Sequence, residues 1–324
     1  MIKYIPFSIL IFGGISGNFV KADDVSVLPI YQPIADKELI HGVLSSSGST
    51  TLSPILKEWL KDFTSIYPSV TFSMKADGSG SAPKALLSGE ANLGAMSRKI
   101  KDKEVAAFEA LKFYKPYELK VALDALGIIV SRQNPVNSIS LPQLDAIYSE
   151  TRLCGYPESI QSWRKLGWDN PNNIQINHFD SNSGGHGLFK NMALCKGNYR
   201  ENVLPSHHTS LEMVEAVQAS RFAIGFASMT VVDRTVKALK VGKSEKFPSI
   251  LPNTSSIANG LYPFTRYLYL YLDKHPDSNL EPHLAEFIKY IYSRQGQKTA
   301  LLKGSFPLST VDIGKQLNIL RQSK

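Results

Sequence analysis

The sequence predicts an α/β fold in two parts, each a mostly parallel sheet flanked by helices. Three observations carry this expectation. Strand, donor-rich loop and helix alternate twice before residue 90, which is how the chain of a parallel sheet reads. Residues 121–130 (VALDALGIIV) form an almost continuous apolar strand broken by one acid, Asp124, as in a strand covered on both faces. The 324 residues leave roughly 300 after an N-terminal leader, enough for two domains of ordinary size, and the composition shifts after Ser131.

In chain order, residues 1–22 carry Lys3, an apolar run from Ile5 to Phe12, then Val20-Lys21-Ala22 before two aspartates. This reads as a secretory signal peptide cleaved after Ala22, placing the mature protein in the periplasm or outside the cell. No cysteine lies near that point to be acylated, and no later stretch reaches the roughly 18 apolar residues of a membrane helix. Residues 23–37 are expected to be a disordered leader. Residues 39–45 read as a strand, then Ser53 as N-cap and Pro54 at N1 start a helix through Trp59, Leu60 and Phe63. Val70–Lys75 alternates as a strand, and GSGS at 78–81 leads into a helix stopped by Gly89. A short strand at 92–98 ends in Ser97 and Arg98, and 101–110 reads as helix. Beyond Ser131, Leu141–Tyr148 reads as helix, 211–219 as helix and 222–228 as strand. Residues 261–272 (LYPFTRYLYLYL) form a Tyr-rich strand that returns the chain to the first part, and 281–303 is an amphipathic helical region.

Three loops run into helix starts and concentrate small donors: Ser47 to Thr51, Gly78 to Ser81, and the stretch 181–190 (SNSGGHGLFK). Unpaired N–H groups at a helix start attract anions, and three such starts together point to a bound anion. Two of these loops lie in the first part and one in the second, so a hinge of two crossings would let them enclose a ligand.

The formal net charge is +8; without Lys3 and Lys21, 34 basic residues against 28 acidic leave +6. That balance favours anionic partners. The charge is dispersed, with no Lys/Arg run interleaved with aromatics, and an export signal argues against nucleic acid. The seven histidines are scattered without zinc-ligand spacing, and neither a nucleophile elbow nor a phosphate-binding Walker loop is present. No catalytic constellation, metal or cofactor is expected. The two cysteines, Cys154 and Cys195, should pair in an exported chain, closing a 41-residue separation for roughly 3 to 4 kcal/mol.

Further stretches carry a family likeness. GSTT at 48–51, DGSGSAPKALLSGEANLGAMSRKIKDKEVAAFE at 77–109 and ALDALGIIV at 122–130 are followed by SETRLCG at 149–155 and SWRKLGW at 162–168. ALCKGNYR at 193–200, AIGFAS at 223–228 and YPFTRYLYLY at 262–271 complete the series. In order and spacing these resemble the periplasmic phosphate-binding proteins of ABC phosphate importers, over nearly the whole mature chain. The resemblance implies a two-lobed periplasmic solute-binding fold of type 2. Its lobes would comprise 38–131 plus 266–324, and 132–265, joined by two hinge crossings. It also implies a monomer that closes on inorganic phosphate or a related oxyanion and hands it to an inner-membrane ABC permease, with no chemistry on the ligand. Carried over by position, Thr50, Thr51 and Ser79 donate from one lobe, and Ser183, Gly184 and Gly185 from the other.

Two positions depart from the family pattern R-x-x-x-S-G-T, which here reads Phe179, Ser183, Gly184 and Gly185. A hydrogen bond to a charged group contributes about 1.5 to 3 kcal/mol, so losing the arginine would cost about 10- to 100-fold in affinity. Arg98 is expected either to compensate for it or to form a structural ion pair, with Asp124 as a candidate partner. Ser97 stands where many members place an aspartate, and a hydroxyl both donates and accepts. Asp180 would repel a dianion, whereas His186 would donate to one once protonated. The rival readings are another oxyanion or a phosphonate as ligand, or an exported adhesin that kept the fold.

Overall fold

The computed structural model describes residues 25–181, 183–200 and 206–321; the signal-peptide expectation lies outside them. The first half of the chain forms β1 (Gly42–Gly48), α1 (Ser53–Ile66), β2 (Val70–Lys75), α2 (Ala82–Ser88), β3 (Leu93–Met96), α3 (Asp102–Lys112) and β4 (Tyr117–Ser131). There follow β5 (Ser138–Ser140), α4 (Leu141–Tyr148), β6 (Gln175–Ile176), β7 (His178–Phe179), α5 (Gly184–Ala193), β8 (Ser206–His207), α6 (Ser210–Gln218) and β9 (Ala223–Ser228). The last elements are β10 (Val236–Ala238), β11 (Lys240–Gly242), α7 (Thr254–Ala258), β12 (Thr265–Leu272), α8 (Pro282–Ile291), α9 (Arg294–Leu302) and α10 (Thr310–Arg321).

Eight strands share one sheet in the order β2-β1-β3-β12-β4-β9-β6, with β10 on β4. The flanks are parallel: β1 runs with β2 and β3, and β6 runs with β9. The middle is antiparallel, because β4 and β12 are the two crossings between the halves. β4 serves both: through Ala125 it pairs with β12, and from Leu126 onward with β9. Every residue from Val121 to Ser131 is buried, which is why this strand carries almost no polar residue.

Helix α1 buries Ile55, Leu56, Trp59, Leu60 and Phe63, spaced to one stripe, and Trp59 Nε1 donates to Gly296 O at 2.7 Å. In the second half, Phe189 of α5 stacks on Phe226 of β9 with centroids 4.0 Å apart, and Phe179 meets the same ring edge-on at 5.3 Å. The Cys154–Cys195 disulfide, Cα–Cα 5.5 Å, ties the loop after α4 to the end of α5.

Several expected boundaries move. The first strand begins at Gly42 rather than 39, because Lys37–Leu39 is a short 3-10 turn capped by Asp36. Ser53 is the first helical residue rather than the N-cap, which is Leu52 with no side-chain cap; Ser49 Oγ accepts from Leu52 N at 3.2 Å in the turn before it. The return strand starts at Thr265, since Pro263 has no N–H to pair and the Phe264 carbonyl accepts from Leu126 N. The region 281–303 splits in two where Ser293 Oγ caps Gly296 N. Over its described part the leader is not loose. The buried hydroxyl of Tyr31 lies 2.8 Å from both Tyr67 Oη and Glu286, and Pro29 O accepts from Arg294 N.

Candidate functional site

Parallel strands end on the same side, so β1, β2 and β3 deliver their loops to one place. Gly48 sits at φ 141°, and a Cβ there would lie 1.9 Å from Ala95 O. That close approach lets Ser49 N donate to Ala95 O at 2.8 Å while Gly48 O accepts from Gly78 N at 2.9 Å. The next turn presents Thr50 and Thr51, both half-buried. Neither the N–H nor the hydroxyl of either threonine takes a partner among the described residues.

The second start is tied to the end of β3. Ser79 Oγ accepts from Ser97 N at 3.0 Å and lies 3.2 Å from Ser97 Oγ, with both residues buried. Ser97 and Ser79 are thus one unit, with Ser81 Oγ 3.1 Å from Ser47 Oγ beside it. Arg98 follows but turns away into a bidentate pair with Glu104, Nη1–Oε2 at 2.8 Å and Nη2–Oε1 at 2.7 Å, and Nη1 also donates to Lys99 O. Of the two expectations for Arg98, the structural pair is what forms. Its partner is Glu104 rather than Asp124, because the capping carboxylate of α3 lies only six residues on.

The third start belongs to α5. Ser183 is its N-cap, accepting from Gly185 N at 3.1 Å, and Gly184 is the first helical residue. The family arginine position, Phe179, is buried in the aromatic core of the second half. The two departures are one event, since a Cβ on Gly185 would fall 2.8 Å from the Phe179 ring. Gly185→Thr alone is therefore expected to destabilise by about 1–3 kcal/mol, read as a fall in Tm. Phe179→Arg combined with Gly185→Thr removes the obstruction and supplies a cation, at the cost of the Phe179 packing on Phe226. Phosphate binding should then tighten by about 10- to 100-fold in calorimetry, and no gain would mean that this loop does not face the ligand.

His186 does not aim its Nδ1 outward: that nitrogen bonds Phe179 O at 2.9 Å, and the ring lies 4.4 Å from Tyr199. Burial lowers its pKa, so protonation comes only below the usual imidazole range, and the expected donation from a charged His186 loses its basis near neutral pH. Asp180 is engaged by His208 Nδ1 at 2.8 Å.

What the sequence reading missed is the centre. Asp124, fully buried, accepts from Arg266 Nε at 2.8 Å and from Ser228 Oγ at 2.6 Å. The signal was present in the sequence, because Arg266 is the lone charge of β12 and Asp124 the lone charge of the buried run 121–131 of β4. No hydrogen bond joins the first-half donors to the α5 start among the described residues, so the two donor groups remain separate across the crossings. A cavity of about 810 Å³ lies between Leu141, Ile250 and Tyr262 on one side and Leu123, Tyr267 and Asp312 on the other; Arg266 lines it, and none of the helix-start donors does.

Two sheet halves joined by paired crossings, each with a helix start that opens on small hydroxylic residues, have the arrangement of a two-lobed solute-binding protein. The description of the PBP superfamily domain matches residues 24–295. The phosphate-binding protein PstS of Pseudomonas aeruginosa is 39% identical over 285 residues, 87% of either chain. Protein SphX of Synechococcus elongatus is 26% identical over 84% of this chain and 78% of its own. Among solved structures, a putative phosphate ABC transporter substrate-binding protein with bound phosphate from Clostridium perfringens superposes with a TM-score of 0.68. It is 24% identical, covering 83% of this chain and all of that one. The chain belongs to the PBP superfamily, among its PstS-like members.

Proposed function

We propose that the protein binds inorganic phosphate between its lobes and delivers it to an inner-membrane ABC permease, as an exported, periplasmic monomer. The observation that carries this reading is the unspent donor set of Thr50 and Thr51 at the start of α1. Four donors on one turn, next to a helix start, suit an oxyanion that must shed its water. Ser79 and Ser97 complete that lobe's share, and Ser183, Gly184 and Gly185 close from the other. Arg98 adds positive field but, held by Glu104, makes no direct bond. The lobes are 38–131 with 266–324, and 132–265, and they close by bending at β4 and β12. The relatives are transport proteins of the substrate-binding kind, and binding without chemistry follows from that likeness.

The test is calorimetry on mature protein stripped of phosphate, titrated with phosphate and then with sulfate and a phosphonate as competitors. Micromolar or tighter phosphate binding that survives sulfate is the expected result; silence with every oxyanion would end the reading. Thr50→Val with Thr51→Val should weaken phosphate at least about 10-fold, since each lost bond is to a charged group. Tm should hold, because neither hydroxyl bonds the protein.

A further inference from the structure

The ion pair at the crossing leaves one group unspent. Arg266 is 9% exposed and gives Nε and Nη2 to Asp124, at 2.8 and 2.7 Å. Its Nη1 is buried with no hydrogen-bond partner among the described residues. A buried guanidinium N–H left unmade costs free energy comparable to a lost charged hydrogen bond, so its retention calls for a reason.

Strand geometry places that group. Cross-strand neighbours share a face, so the Arg266 side chain takes the Asp124 face of the sheet and Tyr267, opposite Leu123, takes the other; Arg266 also lines the 810 Å³ cavity with Thr265 and Tyr267, while its Nη1 is buried. On β9, Phe226 and Ser228 alternate onto the Asp124 face, and Phe226 carries α5 through its stack on Phe189. On β12, Leu268 and Leu270 share the Arg266 face and belong to the core that holds Leu56, Trp59 and Phe63 of α1. Tyr271, on the other face, packs instead with α2 and α3. α5 therefore packs on the face that carries the guanidinium, and Leu268 and Leu270 of that face join the core shared with α1. The antiparallel register Tyr269↔Met96 also carries β12 past the end of β3, so Arg266 lies beyond Met96, on the side where Ser97 emerges.

We infer that Arg266 is the ligand-facing cation of this protein, its Nη1 meeting the oxyanion from the floor of the cleft in place of the arginine absent at position 179. The inference rests on the phosphate reading and adds the residue that supplies its charge. Asp124 and Ser228 are the positioning residues: Asp124 holds the fork by two nitrogens and leaves the third to the ligand, and the Ser228 hydroxyl fixes the carboxylate. The arrangement also accounts for Phe179, since a cation on the crossing strand frees that position to join the aromatic core.

The experiment pairs calorimetry with nitrogen-15 NMR of the arginine side chains, using inorganic phosphate. In the wild-type protein the Arg266 guanidinium signals should shift on adding phosphate. Asp124→Asn with Arg266→Gln, a neutral hydrogen-bonded pair, should keep the fold by circular dichroism and bind phosphate about 10- to 100-fold more weakly. Should that pair not fold, Arg266→Lys, which keeps the charge but loses Nη1, carries the affinity test with the same expected direction. Wild-type phosphate binding with unmoved Arg266 signals, or a folded variant binding like wild type, overturns the inference and leaves the phosphate function standing. A wild-type protein that binds no phosphate overturns both.

Discussion

Asp124→Ala is expected to destabilise the protein by about 3–5 kcal/mol, a fall of roughly 5–10 °C in Tm. The carboxylate is fully buried and holds Arg266 on one oxygen and the Ser228 hydroxyl on the other. Removing it strands a guanidinium that is already one partner short, between the two strands that join the halves. Breaking one member of a buried pair costs far more than the pair contributes, because the penalty is an uncompensated charge. The double change Asp124→Asn with Arg266→Gln should accordingly recover most of the loss in the same thermal scan. A single variant as stable as wild type would mean that water reaches Arg266 and the pair is not buried in solution.

Gly48→Ala should be of similar size, about 2–6 kcal/mol, by combining backbone strain with overpacking. At φ 141° the position disfavours any L side chain, and the methyl would stand 1.9 Å from the backbone oxygen of Ala95, which cannot swing aside as a side chain could. The strands β1 and β3 would have to part, breaking the Ser49 N to Ala95 O bond and turning Thr50 and Thr51 out of place. The midpoint of urea unfolding should fall, and phosphate affinity with it. Loss of stability with intact affinity would show that the threonine turn is held by other contacts.

Much of the architecture was legible because its causes are local. Val70–Lys75 alternates and becomes β2; Leu141–Tyr148 opens on the Ser140 capping box and becomes α4; Gly89, at φ 74°, ends α2 as glycine does. Displaced boundaries were those decided by distant partners, such as the start of β12, where Phe264 is held by Leu126 across the crossing. The donor loops could be found from composition, and the meeting of the two in the first half follows from parallel strands ending together. The fate of each charge could not. Arg98 reads as a candidate for the cleft until Glu104, six residues on, takes both of its Nη atoms.

The sequence alone determined the alternation of strand, donor loop and helix, the apolar crossing strand and the pairing of the two cysteines, and the family resemblance marked Phe179 and Gly185 as departures from its pattern. These are matters of residue type, spacing and local backbone preference, which act over a few positions. Only the tertiary structure decided that Phe179 and Gly185 are coupled through a 2.8 Å contact, that Asp124 belongs to Arg266, and that α5 packs on the face bearing that pair. Residues 142 apart meet there because sheet register, not chain proximity, sets which charges share a low-dielectric interior.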